Sequence, residues 1–320
     1  MSLFAVLFGA VLLAVSGNDA SALLAKHAQY TGWQAGDSSV QGWNASGTRV
    51  NGRANDAFAE KRSGIAFKDT LTAAGGRISM QTGFTGTMLW ASDPNGYVVK
   101  QAGTPAQVAY DLNLIRGETL SAIPEATVMG SAQVRGTTTT IVRFKPAGAP
   151  PVDVYEDPNT GAFLQAIVDP EGPAHTIVSI DAYGNVAPGK KAVSQWSIGA
   201  SQYTLNSISA ARVADTDLIP PQPSATWTFG DQTVPVDLFD LSAGTQRYQP
   251  RVMATVNGVT GVFVLDTGTQ SIVLFGDFAS RAGVTAIDGA DFSPFAGNPR
   301  YLGYGLVQTL TAGNSTCTTS

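Results

Sequence analysis

Residues 256–274 read VNGVTGVFVLDTGTQSIVL, and in this stretch an apolar run ends in an acid, Asp266, before a second apolar run begins. An unpaired carboxylate at the end of a hydrophobic strand is costly, and burial shifts its pKa instead of keeping the ion. Two interpretations are open at this point. Asp266 is either a turn residue at the surface or an acid that is held in place for a chemical task.

The residues on both sides of Asp266 have the pattern of a small β structure. Alternation over 252–256 predicts a strand, and Asn-Gly at 257–258 suits a two-residue hairpin turn. Residues 262–265 form the predicted return strand, and 272–274 a third short strand. The segment DFASRAG at 277–283 predicts a short helix that ends at its glycine.

This order of strand, Asn-Gly turn, strand, Asp-Thr-Gly-Thr, strand and short helix resembles the retropepsin-like aspartic proteases over residues 246–320. Bacterial exported members of that family carry such a domain behind a signal peptide and a β-rich domain. The resemblance implies peptide-bond hydrolysis by two carboxylates that share one proton, one of which activates a water molecule. Asp266 would be the catalytic carboxylate. We expect no metal and no cofactor.

The same resemblance assigns supporting roles to the three residues that follow. It implies that Thr267 forms a hydrogen bond across a twofold axis and that Gly268 lets a backbone N–H approach the carboxylate. Thr269 would place a hydroxyl near the outer carboxylate oxygen. The sequence has one Asp-Thr-Gly, and the family completes its dyad from two chains. A homodimer acting on a polypeptide substrate is therefore expected.

One part of the family pattern is not seen in residues 298–320, NPRYLGYGLVQTLTAGNSTCTTS. They contain a Gly-rich hairpin region that suits a flap over the site, then a strand and turn, and finally TCTTS, which we interpret as a polar tail. The family's second loop-strand-helix unit, with two apolar residues and a glycine, does not follow. We therefore expect the retropepsin-like domain to be incomplete, which bears on activity more than on fold.

The composition excludes several other functions. The chain has 320 residues, which predicts about two domains, and its net charge of −5 argues against a nucleic-acid partner. Cys317 is the single cysteine, so neither an intramolecular disulfide nor a cysteine-based metal site can form. Two histidines leave little for a zinc site or a Ser-His-Asp hydrolase.

Residues 1–22 have the features of an export signal. An apolar core from Leu3 to Val15 is followed by small residues, with Ala20-Ser21-Ala22 as a cleavage site. The core is short for a membrane-spanning helix, which needs roughly 17–25 residues. The prediction is export to the periplasm or the medium. The alternative is a retained N-terminus that tethers the protein to the membrane.

Residues 23–215 are predicted to form a mostly β domain of the α+β class. A helix ends at Gly32, with His27 on its face as a packing residue, not a ligand. Antiparallel strands follow, with hairpin turns at 93–96 and 157–161, and a second helix begins at Thr104. Three prolines then mark a stiff linker, assigned to 216–245.

This pattern resembles the half-open β-barrel of periplasmic lipoprotein carriers. The resemblance implies a sheet wrapped around an apolar cavity and an alternative function, a non-catalytic envelope protein that holds an apolar ligand or a lipoprotein. A continuous apolar cavity without a polar base would favour that alternative. A third candidate, a scaffold protein of the envelope, applies only if neither a cavity nor a carboxylate dyad forms.

Overall fold

The structure is a computed structural model that describes residues 19–33, 39–52, 54–92, 98–116, 126–173, 175–222, 225–230, 233–240, 248–265, 272–292 and 300–319. Three α-helices lie in these ranges: α1 (Asp19–Thr31), α2 (Thr104–Arg116) and α3 (Gly276–Arg281). No described helix combines the length and the hydrophobicity that crossing a membrane requires.

Thirteen strands form one large antiparallel sheet. In chain order they are β1 (Trp43–Asn51), β2 (Ala54–Ser63), β3 (Ala66–Thr72), β4 (Ser79–Phe84), β5 (Leu89–Ser92), β6 (Val98–Gln101), β7 (Ala126–Val134), β8 (Thr137–Phe144), β9 (Val152–Glu156), β10 (Phe163–Val168), β11 (Thr176–Ala187), β12 (Lys190–Ile198) and β13 (Ser201–Ala210). Their spatial order is β6-β5-β4-β3-β2-β1-β13-β12-β11-β10-β9-β8-β7. The sheet is open, with β6 and β7 at its edges. The predicted mostly β class and antiparallel half-barrel are confirmed.

Both long helices pack on one face of the large sheet, which we call the helix-covered face. Strand β2 shows the pleat that creates it, because Asp56, Phe58, Glu60 and Arg62 are buried while the residues between them are more exposed. One apolar cluster joins both helices to this face. It includes Ala20 of α1, Leu114 and Ile115 of α2, and strand residues such as Val142, Phe144, Val154 and Ile180.

The predicted helices and hairpins of this region lie where the sequence placed them. Helix α1 ends before Gly32, whose φ is +79°, and α2 begins at Thr104. The hairpin turn at 157–161 is held by Asp157, which accepts hydrogen bonds from the Asn159 backbone N–H and the Thr160 hydroxyl. The predicted turn at 93–96 lies outside the described residues, but its strands β5 and β6 pair as expected. Residues 1–18 also lie outside them.

A smaller sheet and a separate hairpin make up the C-terminal part. The small sheet contains β14 (Ala225–Thr228), β15 (Asp237–Asp240), β16 (Tyr248–Val256), β17 (Val259–Val264), β20 (Thr309–Ala312) and β21 (Ser315–Thr319). Strands β18 (Ala286–Phe292) and β19 (Arg300–Gly305) form the hairpin. Strands β14 and β15 lie within the segment 216–245, and they pair with β21 and β16.

Two details of the sequence interpretation are wrong. The third short strand predicted at 272–274 does not form, because no strand in the described part of the chain pairs with these residues. The stretch TCTTS is not a polar tail, since residues 315–319 form β21 between β20 and β14. Threonine has high β propensity, and the Gly313-Asn314 turn places these residues alongside β20.

Two buried carboxyl groups lie on the helix-covered side of the large sheet. Asp111 of α2 and Glu156 of β9 are fully buried, and neither has a hydrogen-bond partner among the described residues. Burial raises the pKa of Glu156 to about 8. Burial, with a contribution from Asp169, raises the pKa of Asp111 to about 8. Burial lowers the pKa of His27 to about 4, and this ring stacks on Phe163 with centroids 3.6 Å apart.

These shifts predict that the free energy of unfolding falls as the pH rises from about 5 to about 8. A carboxyl with a raised folded-state pKa stabilises the fold fully below its unfolded pKa, and that contribution is lost as pH rises through the folded pKa. His27 acts in the opposite sense, but only between its unfolded pKa of 6.5 and its folded value of about 4. Below pH 6.5, His27 therefore cancels the pH dependence that one of the two carboxyls gives to the free energy of unfolding. Above pH 6.5, it cancels neither.

The measurement is urea unfolding followed by tryptophan fluorescence at several pH values. The Glu156→Gln variant, which cannot ionise, should show a shallower decline than the wild type above pH 6.5. A wild-type stability that rises over this range, or an unchanged slope in the variant, would contradict the assignment.

Candidate active site

The β16–β17 hairpin carries the chain to Asp266. Its register is regular, with Met253 opposite Val262 and Val256 opposite Val259. Asn257 and Gly258 form the turn with φ values of +47° and +82°. Positive φ at both central residues is the type I′ geometry that matches the twist of paired strands. The predicted Asn-Gly hairpin is confirmed.

Asn257 also fixes the hairpin to its surroundings, which the turn motif alone did not predict. Its Nδ2 donates a 3.0 Å hydrogen bond to the carbonyl of Ala282, just after α3. Its Oδ1 accepts 2.9 Å hydrogen bonds from the backbone N–H groups of Gln308 and Thr309. One side chain therefore connects the hairpin turn, the end of α3 and the start of β20.

The Asn257→Gly substitution should reduce the stability of the small sheet by about 2–3 kcal/mol, since it removes three side-chain hydrogen bonds of about 1 kcal/mol each. Glycine keeps the positive φ, so the turn itself is not strained. Cys317 in β21 provides a reporter: its thiol should react faster with a disulfide reagent in the variant under native conditions. Asn314→Gly, in the exposed β20–β21 turn, is the matched control and should change the rate little. Equal rates in the two variants would refute this role of Asn257.

Helix α3 packs against the inner face of the same hairpin. The Phe278 ring lies edge-on to Phe263 with centroids 5.4 Å apart. It also lies so close to Gly261 that a Cβ there would approach the ring to 2.5 Å. A side chain at this position would push the helix away, so glycine permits the contact. The predicted short helix at 277–283 is confirmed in position, with Gly283 at φ +65° after its end.

The described residues on either side of 266–271 are held by hydrogen bonds and packing. Before it, the Leu265 N–H donates a 2.9 Å hydrogen bond to the Pro250 carbonyl. After it, α3 is held by Phe278 and by the Ala282–Asn257 hydrogen bond. The predicted site residues Asp266, Thr267, Gly268 and Thr269 all lie outside the described residues, and their roles remain predictions.

The described residues just before and just after 266–271 include several apolar side chains that are largely exposed. They are Val262, Val264, Leu265, Ile272, Val273 and Phe275, each at least 47% exposed. In β17, Val262 and Val264 alternate with Gly261 and Phe263, which face α3, so these two valines lie on the outer face of the hairpin. The β18–β19 hairpin occupies part of the Gly-rich region predicted as a flap, and the flap role stays a prediction.

The helix-covered face contains a polar group of side chains that the sequence interpretation missed. Glu60, Arg62, Asp69 and Arg116 lie together there, and we call them the guanidinium cluster. The alternating segment DAFAEKR at 56–62 carried the signal, because every second residue in a strand shares a face. A continuous apolar cavity without a polar base was the feature that would favour a carrier. The helix-covered face does not meet this criterion, because it contains these charged side chains.

Comparison with known proteins relates the C-terminal part to a family. Residues 252–319 match the aspartyl protease family model. The match begins within β16 and ends with β21, so it includes the β16–β17 hairpin, residues 266–271 and α3. It covers a minority of the chain. A search of curated protein sequences finds no match.

Solved structures similar to this chain include two bacterial proteins, each at 10% identity. One is a DUF1329 family protein from Desulfovibrio piger, with a TM-score of 0.44, covering 63% of this chain and 96% of that one. The other is a LolA superfamily protein from Nitrosomonas europaea, with a TM-score of 0.45, covering 62% of this chain and 97% of that one.

Proposed function

We propose that this chain is an aspartic-type endopeptidase homologue whose catalytic carboxylate is Asp266. The observation that carries the proposal is the aspartyl protease match over residues 252–319, which includes the Asp-Thr-Gly-Thr sequence. The anchored hairpin and helix on either side of the loop support it. A reacting carboxylate must be held within a fraction of an ångström, and sites between rigid elements achieve this best.

The chemistry requires a second carboxylate close to Asp266. Two acids at hydrogen-bond distance cannot both ionise, so one keeps a proton while the other takes a proton from the attacking water. The protonated acid polarises the scissile carbonyl. Because the chain has one Asp-Thr-Gly, the second acid is Asp266 of another copy, and Thr267, Gly268 and Thr269 support the pair in both copies.

The substrate proposed is a polypeptide that is unfolded or extended. The exposed apolar side chains on both sides of the loop suit binding to a chain whose own apolar side chains are accessible. Export to the periplasm or the medium follows from the N-terminal signal, which would bring the protein into contact with envelope or secreted polypeptides.

The test is cleavage of an unfolded polypeptide by the full chain between pH 4 and 7, the range in which a shared-proton dyad works. Activity per molecule should rise with protein concentration and then level off as dimers form. Absence of cleavage at every pH, with dimers present by light scattering, would refute the endopeptidase proposal.

A second candidate function is a carrier that holds an apolar ligand on the helix-covered face. The observation that favours it is a group of apolar side chains on this face that are only partly buried, among them Leu71, Tyr183, Tyr203 and Leu205. Such side chains, next to a fully buried core, offer a surface that a ligand can cover.

A further inference from the structure

The cleavage site predicted for the export signal, Ala20-Ser21-Ala22, lies inside α1 in the structure. Helix α1 spans Asp19–Thr31, so these three residues make up most of its first turn. Ala20 is 3% exposed and belongs to the apolar cluster that joins α1 to the large sheet. A protein cut after Ala22 would lack this side chain and the whole first turn of the helix. The fold and the predicted cleavage site therefore disagree.

Cleavage after Ala22 would also place a charge where the helix packs. In an α-helix each N–H donates to the carbonyl four residues earlier, so the N–H groups of residues 23–26 would lose their acceptors. The new α-amino group would belong to Leu23, which packs partly buried against the apolar cluster. A positive charge at a helix N-terminus opposes the helix dipole, and an ammonium group beside apolar side chains is poorly solvated.

Helix α1 is an integral part of the folded domain, since its later turns are fixed on the large sheet. The His27 ring stacks on Phe163, and its Nδ1 donates a 2.8 Å hydrogen bond to the Gly161 carbonyl. Gly161 lies so close to the helix that a Cβ there would come within 2.7 Å of the Lys26 carbonyl oxygen. These contacts fix the direction of α1, so its first turn has one position on the sheet, and Ala20 fills it.

A second sequence that fits a signal-peptidase site precedes α1. Ala14-Val15-Ser16 has small residues at the two positions that an A-x-A-like site requires. It follows the largely apolar run Leu3–Leu13, whose length is within the roughly 7–15 residues of a signal core. These residues lie outside the described part of the chain, and the assignment of the bond uses their sequence alone. Cleavage after Ser16 would make Gly17 the first residue, ahead of α1.

We propose that the export signal is cleaved between Ser16 and Gly17, so that the mature protein keeps α1 whole. The reaction is hydrolysis of one peptide bond by the signal peptidase of the cell. Water adds across the bond, which leaves a carboxylate on Ser16 and an amine on Gly17. The new charge then precedes the helix and does not lie on Leu23. The inference rests on the proposed export and assigns its processing site.

The test is N-terminal sequencing and intact-mass measurement of the full chain, produced in a bacterium and recovered separately from the periplasm and the cytoplasm. We expect periplasmic protein that begins at Gly17. Periplasmic protein with any other first residue, Leu23 above all, would overturn the assigned bond and leave the proposed export intact. Uncleaved protein that is found in the cytoplasm alone would overturn both.

Two substitutions by leucine distinguish the two sites, because the residue just before a signal-peptidase cut must be small. Ser16→Leu should reduce the rate of processing at least about tenfold, as expected for a pocket that rejects a larger side chain. Ala22→Leu is the matched control, and it should leave processing unchanged. Ala22 is exposed, so leucine fits there without disturbing α1. Processing blocked by Ala22→Leu and retained in Ser16→Leu would overturn the proposal.

A comparison of stability tests the structural reason for the upstream site. Protein that begins at Leu23 should have an equilibrium constant for unfolding at least about tenfold larger than protein that begins at Gly17, because it loses Ala20 and the hydrogen bonds of the first turn. Urea titration of the two proteins measures the difference. Equal stability would contradict the role given to the first turn, on which the choice between the two sites rests.

Discussion

Replacing Asp266 by asparagine is expected to lower the rate of polypeptide cleavage by about a thousandfold or more, the range that a general acid-base group contributes. Asparagine has nearly the same shape as aspartate but cannot take a proton from water. In a symmetric dimer the substitution removes both carboxylates, so no shared proton remains. The measurement is the initial rate of cleavage at the optimal pH.

The matched control for this prediction is Asp277→Asn. Asp277 is an exposed acid in the first turn of α3, on the structural element that follows the site loop. Its loss costs only the modest attraction between an acid and a helix N-terminus, below about 1 kcal/mol. Full activity in the Asp266→Asn protein, or an equal loss in both variants, would show that Asp266 is not the reacting acid.

The substitution Glu60→Gln should cause the largest loss of stability, about 3–5 kcal/mol. Glu60 is 2% exposed and is the ionised carboxylate between Arg62 and Arg116. The substitution removes the carboxylate to which Arg62 and Arg116 both donate, and the amide presents its own N–H groups to these guanidinium ions. The free energy of unfolding from urea titration measures the effect.

The control for Glu60 is an ion pair at the surface. Asp181 pairs with Arg135, and both side chains are more than 40% exposed. Because exposed pairs contribute little, Asp181→Asn should cost less than about 1 kcal/mol. A Glu60→Gln protein as stable as the Asp181→Asn protein would mean that the guanidinium cluster is not a stabilising part of the large sheet.

Most of the large sheet could be predicted because its local signals agree with its tertiary structure. The Asp-Pro-Asn-Thr-Gly turn at 157–161 sets the β9–β10 hairpin, and Gly161 takes a φ of +82°. Gly32 ends α1 in the same way. These positions require conformations that few residues other than glycine adopt, so their meaning does not depend on distant contacts.

The errors occurred where pairing over long distances decides the structure. Residues 272–274 have the apolar character of a strand, but no neighbouring strand pairs with them. Residues 315–319 look like a polar tail, yet they pair with β14, about 90 residues earlier in the sequence. Asn257 was predicted as a turn residue, and its hydrogen bonds to Ala282 and Gln308 could not be anticipated from the motif.

The guanidinium cluster also depends on long-range packing that the sequence pattern does not predict. Its members Glu60 and Arg62 come from one strand, Asp69 from the next, and Arg116 from α2. The alternation in β2 predicts that Glu60 and Arg62 share a face, but not that the face is buried. Charged residues in a strand are usually placed on the solvent side, and only the packing of α2 reverses that expectation here.

A subunit-mixing experiment tests whether two copies of Asp266 share one site. Wild-type protein at constant concentration is mixed with an increasing excess of the Asp266→Asn protein, under conditions in which subunits exchange. If each site takes one Asp266 from each of two copies, the variant captures wild-type chains in dimers that have a single carboxylate. We expect cleavage activity to fall toward zero as the excess grows. Activity that stays constant while mixed dimers form would contradict this expectation.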